Sequence, residues 1–309
     1  MLTYFQSVVM GLAQGVTELF PISSLGQAVI LPTVLGWHSL VRAQSRPESF
    51  FLAFLVGLHV ATATALLIYF WNEWRGIIGG FFRTLEVGVR ERRPPWAVIR
   101  TPNQRMAWLL VVATIPAGLT GVVLEHLFRV TFARPLFAAV FLTVNGVILL
   151  AGEVVRRRSD VRAVALAHGT YEGTEARRLD TLEFREAAII GVAQVFALIA
   201  GISRSGVTMV AGLLRGLNHE DAARFSFLLA TPIILAAGVY KLPDLFGPLG
   251  NGIRMQVLAG SIAAGIAAYL SVRFLMRYFE TRTLLPFAIF CLVEGAAATV
   301  GFALTGHTF

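Results

Sequence analysis

Phe51 to Trp71 runs for 21 residues without one carboxylate, lysine or arginine, and about 20 helical residues are what crosses the ~30 Å hydrocarbon core of a bilayer. Five more stretches are nearly as apolar, with at most two charged residues each: 106–125, 135–152, 224–242, 255–276 and 284–304. Only 14% of the 309 residues are charged and 56% are hydrophobic, where a soluble domain usually carries about 25% charged residues. The length alone suggests two soluble domains, but this composition makes the chain one all-α polytopic membrane domain, 1–309, with about six full transmembrane helices. Aromatic residues close the first span (Tyr69, Phe70, Trp71, Trp74) as they do at a membrane–water interface. Pro232 predicts a kink in its span, and Pro286 suits a first helical turn.

The net charge of +8 comes from 25 arginines and the single Lys241. Nucleic acid as a partner would need that charge on a soluble face. It lies instead between the apolar segments, where positive charge marks cytoplasmic loops. Seven arginines (75, 83, 90, 92, 93, 100, 105) fall in 72–105, and seven (156, 157, 158, 162, 177, 178, 185) in 153–185. Arg273, Arg277 and Arg282 form a third cluster. Two spans separate the two loops, so they share a side, and both termini come out on the opposite, extracytoplasmic one. Met1–Ser7 has no basic residue, so no cleaved signal peptide is expected. Cys291 is the only cysteine, which rules out an internal disulfide or a cysteine-built metal site.

Two apolar regions, about 5–35 and 186–217, are broken by polar residues: Glu18-Leu-Phe-Pro-Ile-Ser-Ser-Leu-Gly-Gln27 in the first and Gly201-Ile-Ser-Arg-Ser-Gly-Val-Thr208 in the second. Neither flank is long enough to span, which predicts two re-entrant hairpins buried in protein. At an offset of 180, Gly11-Leu-Ala-Gln14 matches Gly191-Val-Ala-Gln194, and Ile22-Ser23-x-x-Gly26 matches Ile202-Ser203-x-x-Gly206. The halves 1–152 and 186–309, joined by the basic cytoplasmic loop 153–185, then form an inverted-topology repeat whose two tips meet near the midplane.

An arginine at that depth costs a few kcal/mol unless it meets a counter-charge, an anion or water. Either Arg204 snorkels from a loop outside the lipid, or it clamps an anion. Its N–H fork suits phosphate; Ser203, Ser205 and Thr208 add hydroxyls, and the amides near Gly206 a nest. Ser23 and Ser24 offer donors or a nucleophile. Glu18 suits a base or a ligand of Mg²⁺ or Ca²⁺, with Gln14 one helical turn away as a neutral second ligand. Hydroxyls in membrane helices often bond only backbone, and Gln14 has the alternative of joining helices. Asn145 and Glu294, isolated in their spans, read as packing or interhelical hydrogen bonds. His59 is intramembrane; His168, His219 and His307 receive no role.

Glu18-Leu-Phe-Pro-Ile-Ser-Ser-Leu-Gly and Ala200-Gly-Ile-Ser-Arg-Ser-Gly-Val-Thr resemble the two signature motifs of the undecaprenyl-diphosphate phosphatases, the bacitracin-resistance family, as does Gly216 to Pro232. The resemblance implies a bacterial inner-membrane phosphatase. It would turn undecaprenyl diphosphate into the monophosphate that cell-wall synthesis reuses, on an inverted-repeat fold with two re-entrant hairpins. It makes Glu18 the motif glutamate and Gln14 the first member of its Glu/Gln-x-x-x-Glu pair, Ser24 a nucleophile, Ser203, Arg204 and Ser205 the diphosphate-binding core, and Thr208 its threonine. Two positions depart from the pattern. Ala200 replaces a proline, and Gln27 stands where the family has histidine. Glutamine is no general base at physiological pH. Either His59 supplies the missing function, or Glu18 or a metal-bound water does, or the protein is catalytically impaired. The rival readings are a flippase of polyprenyl phosphate that does not hydrolyse and an ion-coupled carrier of a small anion. The expected partners are the polyprenyl diphosphate and membrane lipids; a homodimer stays open.

Overall fold

Helix dominates the computed structural model, which describes residues 2–44, 49–132, 134–166, 177–247 and 250–306. Among the described residues there is no strand, only an isolated bridge between Arg177 and Leu217. Arg46, His168 and His307 of the predicted loops and terminus lie outside them. The described residues form twelve α-helices in order: α1 (Tyr4–Thr17), α2 (Ser24–Val34), α3 (His38–Gln44), α4 (Phe50–Tyr69), α5 (Trp71–Glu91), α6 (Pro102–Phe132), α7 (Pro135–Leu166), α8 (Phe184–Val195), α9 (Arg204–Leu213), α10 (His219–Phe246), α11 (Arg254–Phe279) and α12 (Leu285–Thr305). Six are long and apolar enough to cross a membrane: α4, α6, α7, α10, α11 and α12. The protein is a multi-pass, all-α membrane protein.

The structure extends several expectations. The stretch 72–105, read as a loop from its arginines, is mostly α5, which buries Trp74, Ile77, Thr84 and Gly88 on one face. Its exposed side carries Trp71, Ile78, Phe82 and Val89 beside Arg75, Arg83 and Arg90, the arrangement of a helix lying in a membrane interface. The polar connection after α2 contains α3. The basic segment from 153 begins as a continuation of α7, and α10 starts earlier than its apolar run because Asn218 caps it through the Asp221 N–H. α10 continues through Pro232. Pro286 sits in the first turn of α12. His219 does find a partner: its Nε2 lies 2.9 Å from Glu153 Oε2, joining the start of α10 to α7.

At about 1.5 Å per residue, the 14 residues of α1 and 11 of α2 fall short of a bilayer; so do α8 and α9. They pack against the longer helices. α1 lies along α11 and α8 along α6, while α4 packs on α10 and α7 on α12. The repeated Gly-x-x-Gln explains the first two contacts. A Cβ on Gly11 would stand 2.2 Å from the Gly260 carbonyl oxygen of α11, and one on Gly191 would stand 2.3 Å from that of Ala113 in α6. Each glycine lets two backbones touch, as small residues do between membrane helices. Gly11→Val is therefore expected to destabilise the protein by about 1–3 kcal/mol or more, read as a lower melting temperature in detergent; an unchanged transition contradicts this contact.

Candidate active site

Each half builds a tip in the same way. α1 runs into Glu18, the chain turns, and Ser23 caps α2 by accepting from the Gly26 N–H at 3.2 Å. α8 passes through a 3-10 turn (Phe196–Leu198), and Ser203 caps α9 by accepting from the Gly206 N–H at 3.1 Å. The repeated Ile-Ser-x-x-Gly is thus a serine N-cap with the amide of the third helical residue. The residue after each cap opens the helix: Ser24 in one half, Arg204 in the other. Gly201 has φ +104, and a Cβ there would meet the Ala138 carbonyl oxygen at 2.4 Å, so only glycine fits. Ser23 has φ +63, a strained conformation for a side-chain-bearing residue that costs about 1–3 kcal/mol and marks a functional turn.

The tips interlock. Ser23 Oγ also accepts from the Gly201 N–H at 3.2 Å, and Ser205 Oγ donates to the Phe20 carbonyl at 3.3 Å. Asn145 on α7 holds both: its Nδ2 donates to the Pro21 carbonyl and its Oδ1 accepts from the Ser203 N–H, each at 2.9 Å. Across this junction Arg204 Nη2 donates to Glu18 Oε1 at 3.0 Å. Glu18 Oε2 accepts from Ser24 Oγ at 2.5 Å and from Gln14 Nε2 at 2.9 Å. His59 Nε2 stands 3.6 Å from the same oxygen, and its Nδ1 lies 2.8 Å from the Leu55 carbonyl. A carbonyl only accepts, so Nδ1 carries a hydrogen and Nε2 is the nitrogen free to take up or release one. Arg204 does not snorkel.

The predicted set divides. Glu18, Ser24, Arg204, Gln14 and His59 come together in one cluster at the junction of the tips. Ser203 and Gly206 are engaged with each other in the cap, which removes the Gly206 amide from the predicted nest. Thr208 donates to the Arg204 carbonyl at 2.8 Å and pairs with Ser226 of α10 at 2.6 Å; it braces α9. Ser23 and Ser205 join the tips. Glu18 and Gln14 lie side by side, joined by a hydrogen bond. One Glu18 oxygen faces a guanidinium, the other accepts two hydrogen bonds, and Gln14 turns its nitrogen to the carboxylate. No cluster of three or more His, Cys, Asp or Glu residues occurs among the described residues. Arg204 Nη1, by contrast, is buried without a partner among the described residues.

A family model described as bacitracin resistance protein BacA matches residues 7–297. The chain belongs to the BacA family. A member from Mycolicibacterium paratuberculosis, named undecaprenyl-diphosphatase, is 58% identical over 98% of both chains. One from Frankia alni, undecaprenyl-diphosphatase 2, is 53% identical over 98% of this chain and 99% of its own. One from Granulibacter bethesdensis, undecaprenyl-diphosphatase, is 44% identical over 95% of both.

Beside the first tip, Gln27 Nε2 donates to Glu294 Oε2 on α12 at 2.6 Å. Glu294 and Asn145 thus make interhelical hydrogen bonds, as expected, but both at the tips. The sequence held a signal for them: Val144-Asn145-Gly146 and Val293-Glu294-Gly295 match at an offset of 149. Gly146 and Gly295 lie where α7 and α12 touch, backbone to backbone.

Proposed function

We propose that the chain hydrolyses undecaprenyl diphosphate to undecaprenyl phosphate and inorganic phosphate, and so returns the lipid carrier to cell-wall synthesis and confers bacitracin resistance. Family membership and the names of its relatives support the activity. The observation that carries the chemistry is the unpaired Nη1 of Arg204 beside a serine hydroxyl already bonded to Glu18. Diphosphate binds at Arg204 between the first turns of α2 and α9, whose free amides favour an anion. Ser24 Oγ attacks the terminal phosphorus as Glu18 takes its proton. The P–O bond to undecaprenyl phosphate breaks, and its electron pair stays on the departing monophosphate while the guanidinium balances the charge. The prenyl tail enters an apolar cavity of about 400 Å³ beside the second tip, lined by Phe141, Ile148, Phe196, Ile202, Val207 and Leu214.

A divalent cation belongs to this reading only as a companion of the diphosphate, whose oxygens would supply the ligands that Glu18 and Gln14 lack. The tips are read as re-entrant hairpins of an inverted repeat with halves 1–152 and 186–309, which the paired packing of α1 on α11 and α8 on α6 supports. The arginine-rich segments then face the cytoplasm from the plasma membrane. One chain supplies every residue named, so no second copy is needed.

Purified protein is expected to release phosphate from undecaprenyl diphosphate in detergent, with the Gln27→His variant beside it. Translocation of polyprenyl phosphate without release would replace this reading by the flippase. His59→Ala is expected to slow release by roughly 10²-fold, as loss of a proton-transfer group does; an unchanged rate removes His59 from the chemistry.

A further inference from the structure

Gln27 and Glu294 form a polar pair that the proposed chemistry has not used. Gln27 lies three residues after Ser24, so the two are neighbours on one face of α2. Its carboxamide is held from one side only. Nε2 donates to Glu294 Oε2 at 2.6 Å, while Oε1 takes no hydrogen bond from any described residue and is not among the buried unpaired atoms. Glu294 sits within α12 and makes no ion pair with any described residue; Gln27 is its hydrogen-bond donor. A lone carboxyl group at membrane depth is expensive and usually functional. A carboxylate accepts and does not donate, so it dictates which end of the amide faces it. The carbonyl oxygen is thereby turned away from α12 and left open.

We infer that Glu294 is a positioning residue, which fixes Gln27 so that Oε1 accepts a hydrogen bond from the water that attacks phosphorus. A glutamine needs no basicity for this task; orienting the attacking water is enough. The inference rests on the proposed diphosphatase reaction and concerns its second half. Once Ser24 carries the phosphoryl group, a water held by Gln27 Oε1 forms the new P–O bond. The P–O bond to Ser24 breaks, the electron pair returns to Oγ, and the proton given up by the water reaches Oγ through Glu18. The family histidine is thus replaced by a pair, an orienting amide and the carboxylate that aims it.

The test compares wild type, Glu294→Gln, Glu294→Asp and Gln27→Ala in the phosphate-release assay, with intact-protein mass measured during turnover and melting temperature measured alongside. Glu294→Gln lets the amide turn either way. It is expected to lower kcat by roughly tenfold to a hundredfold, the scale of a lost orientation, with KM within about twofold of wild type and phosphorylated Ser24 accumulating. Gln27→Ala should match it, and Glu294→Asp should recover part of the rate. A wild-type kcat in Glu294→Gln overturns the inference. So does a loss that follows melting temperature without trapped phosphoserine. If wild type itself releases no phosphate, the diphosphatase reading has failed rather than this one.

Discussion

Arg204→Ala is expected to reduce phosphate release by roughly 10³-fold or more, the scale lost when an arginine that neutralises a transferring phosphoryl group is removed. Two effects add. The diphosphate loses the unpaired Nη1, and Glu18 loses the partner of its Oε1, leaving a buried carboxylate uncompensated, which by itself is worth about 3–5 kcal/mol. The second effect predicts a lower melting temperature. Arg204→Lys separates the two: a point charge keeps much of the pairing with Glu18 but lacks the planar fork. Its stability should stay near wild type while activity stays low. A lysine variant with wild-type activity would show that charge alone suffices and remove the clamp from the mechanism.

Ser24→Ala is expected to have a comparable effect on rate, roughly 10³-fold or more, because it deletes the attacking oxygen. Its effect on stability should be small, since Ser23 rather than Ser24 caps α2 and binds Gly201. The measurement is phosphate release together with the search for phosphorylated protein. Retention of more than a tenth of the wild-type rate means that a water on Glu18 attacks directly, and no phosphoserine would then form in any variant.

The six spans were legible because length and apolarity alone define them. Phe51–Trp71 was read where Phe50–Tyr69 stands. α5 was missed because arginine count was taken as loop, although Trp74, Ile77, Phe81, Thr84 and Gly88 recur at helical spacing. The start of α10 was missed for a similar reason: Glu220 and Asp221 belong to a capped first turn, and charge there favours a helix. Around the tips, Glu18, Arg204 and His59 stand out in the sequence because each is costly in lipid, and Ser24 only by its place in the motif. Ser23, Ser203, Ser205 and Thr208 are engaged within and between the tips, and nothing in a sequence separates a hydroxyl offered to a ligand from one engaged by a neighbouring backbone. Asn145 and Glu294 were undervalued because their partners lie more than a hundred residues away.

Ser23 and Ser205 bind the two tips to each other, and Asn145 of α7 binds both. A carrier that works by rocking needs slack at its centre, and here withdrawal of either tip breaks several buried hydrogen bonds together. The two tips are consequently one hydrogen-bonded unit, and what displaces either displaces both.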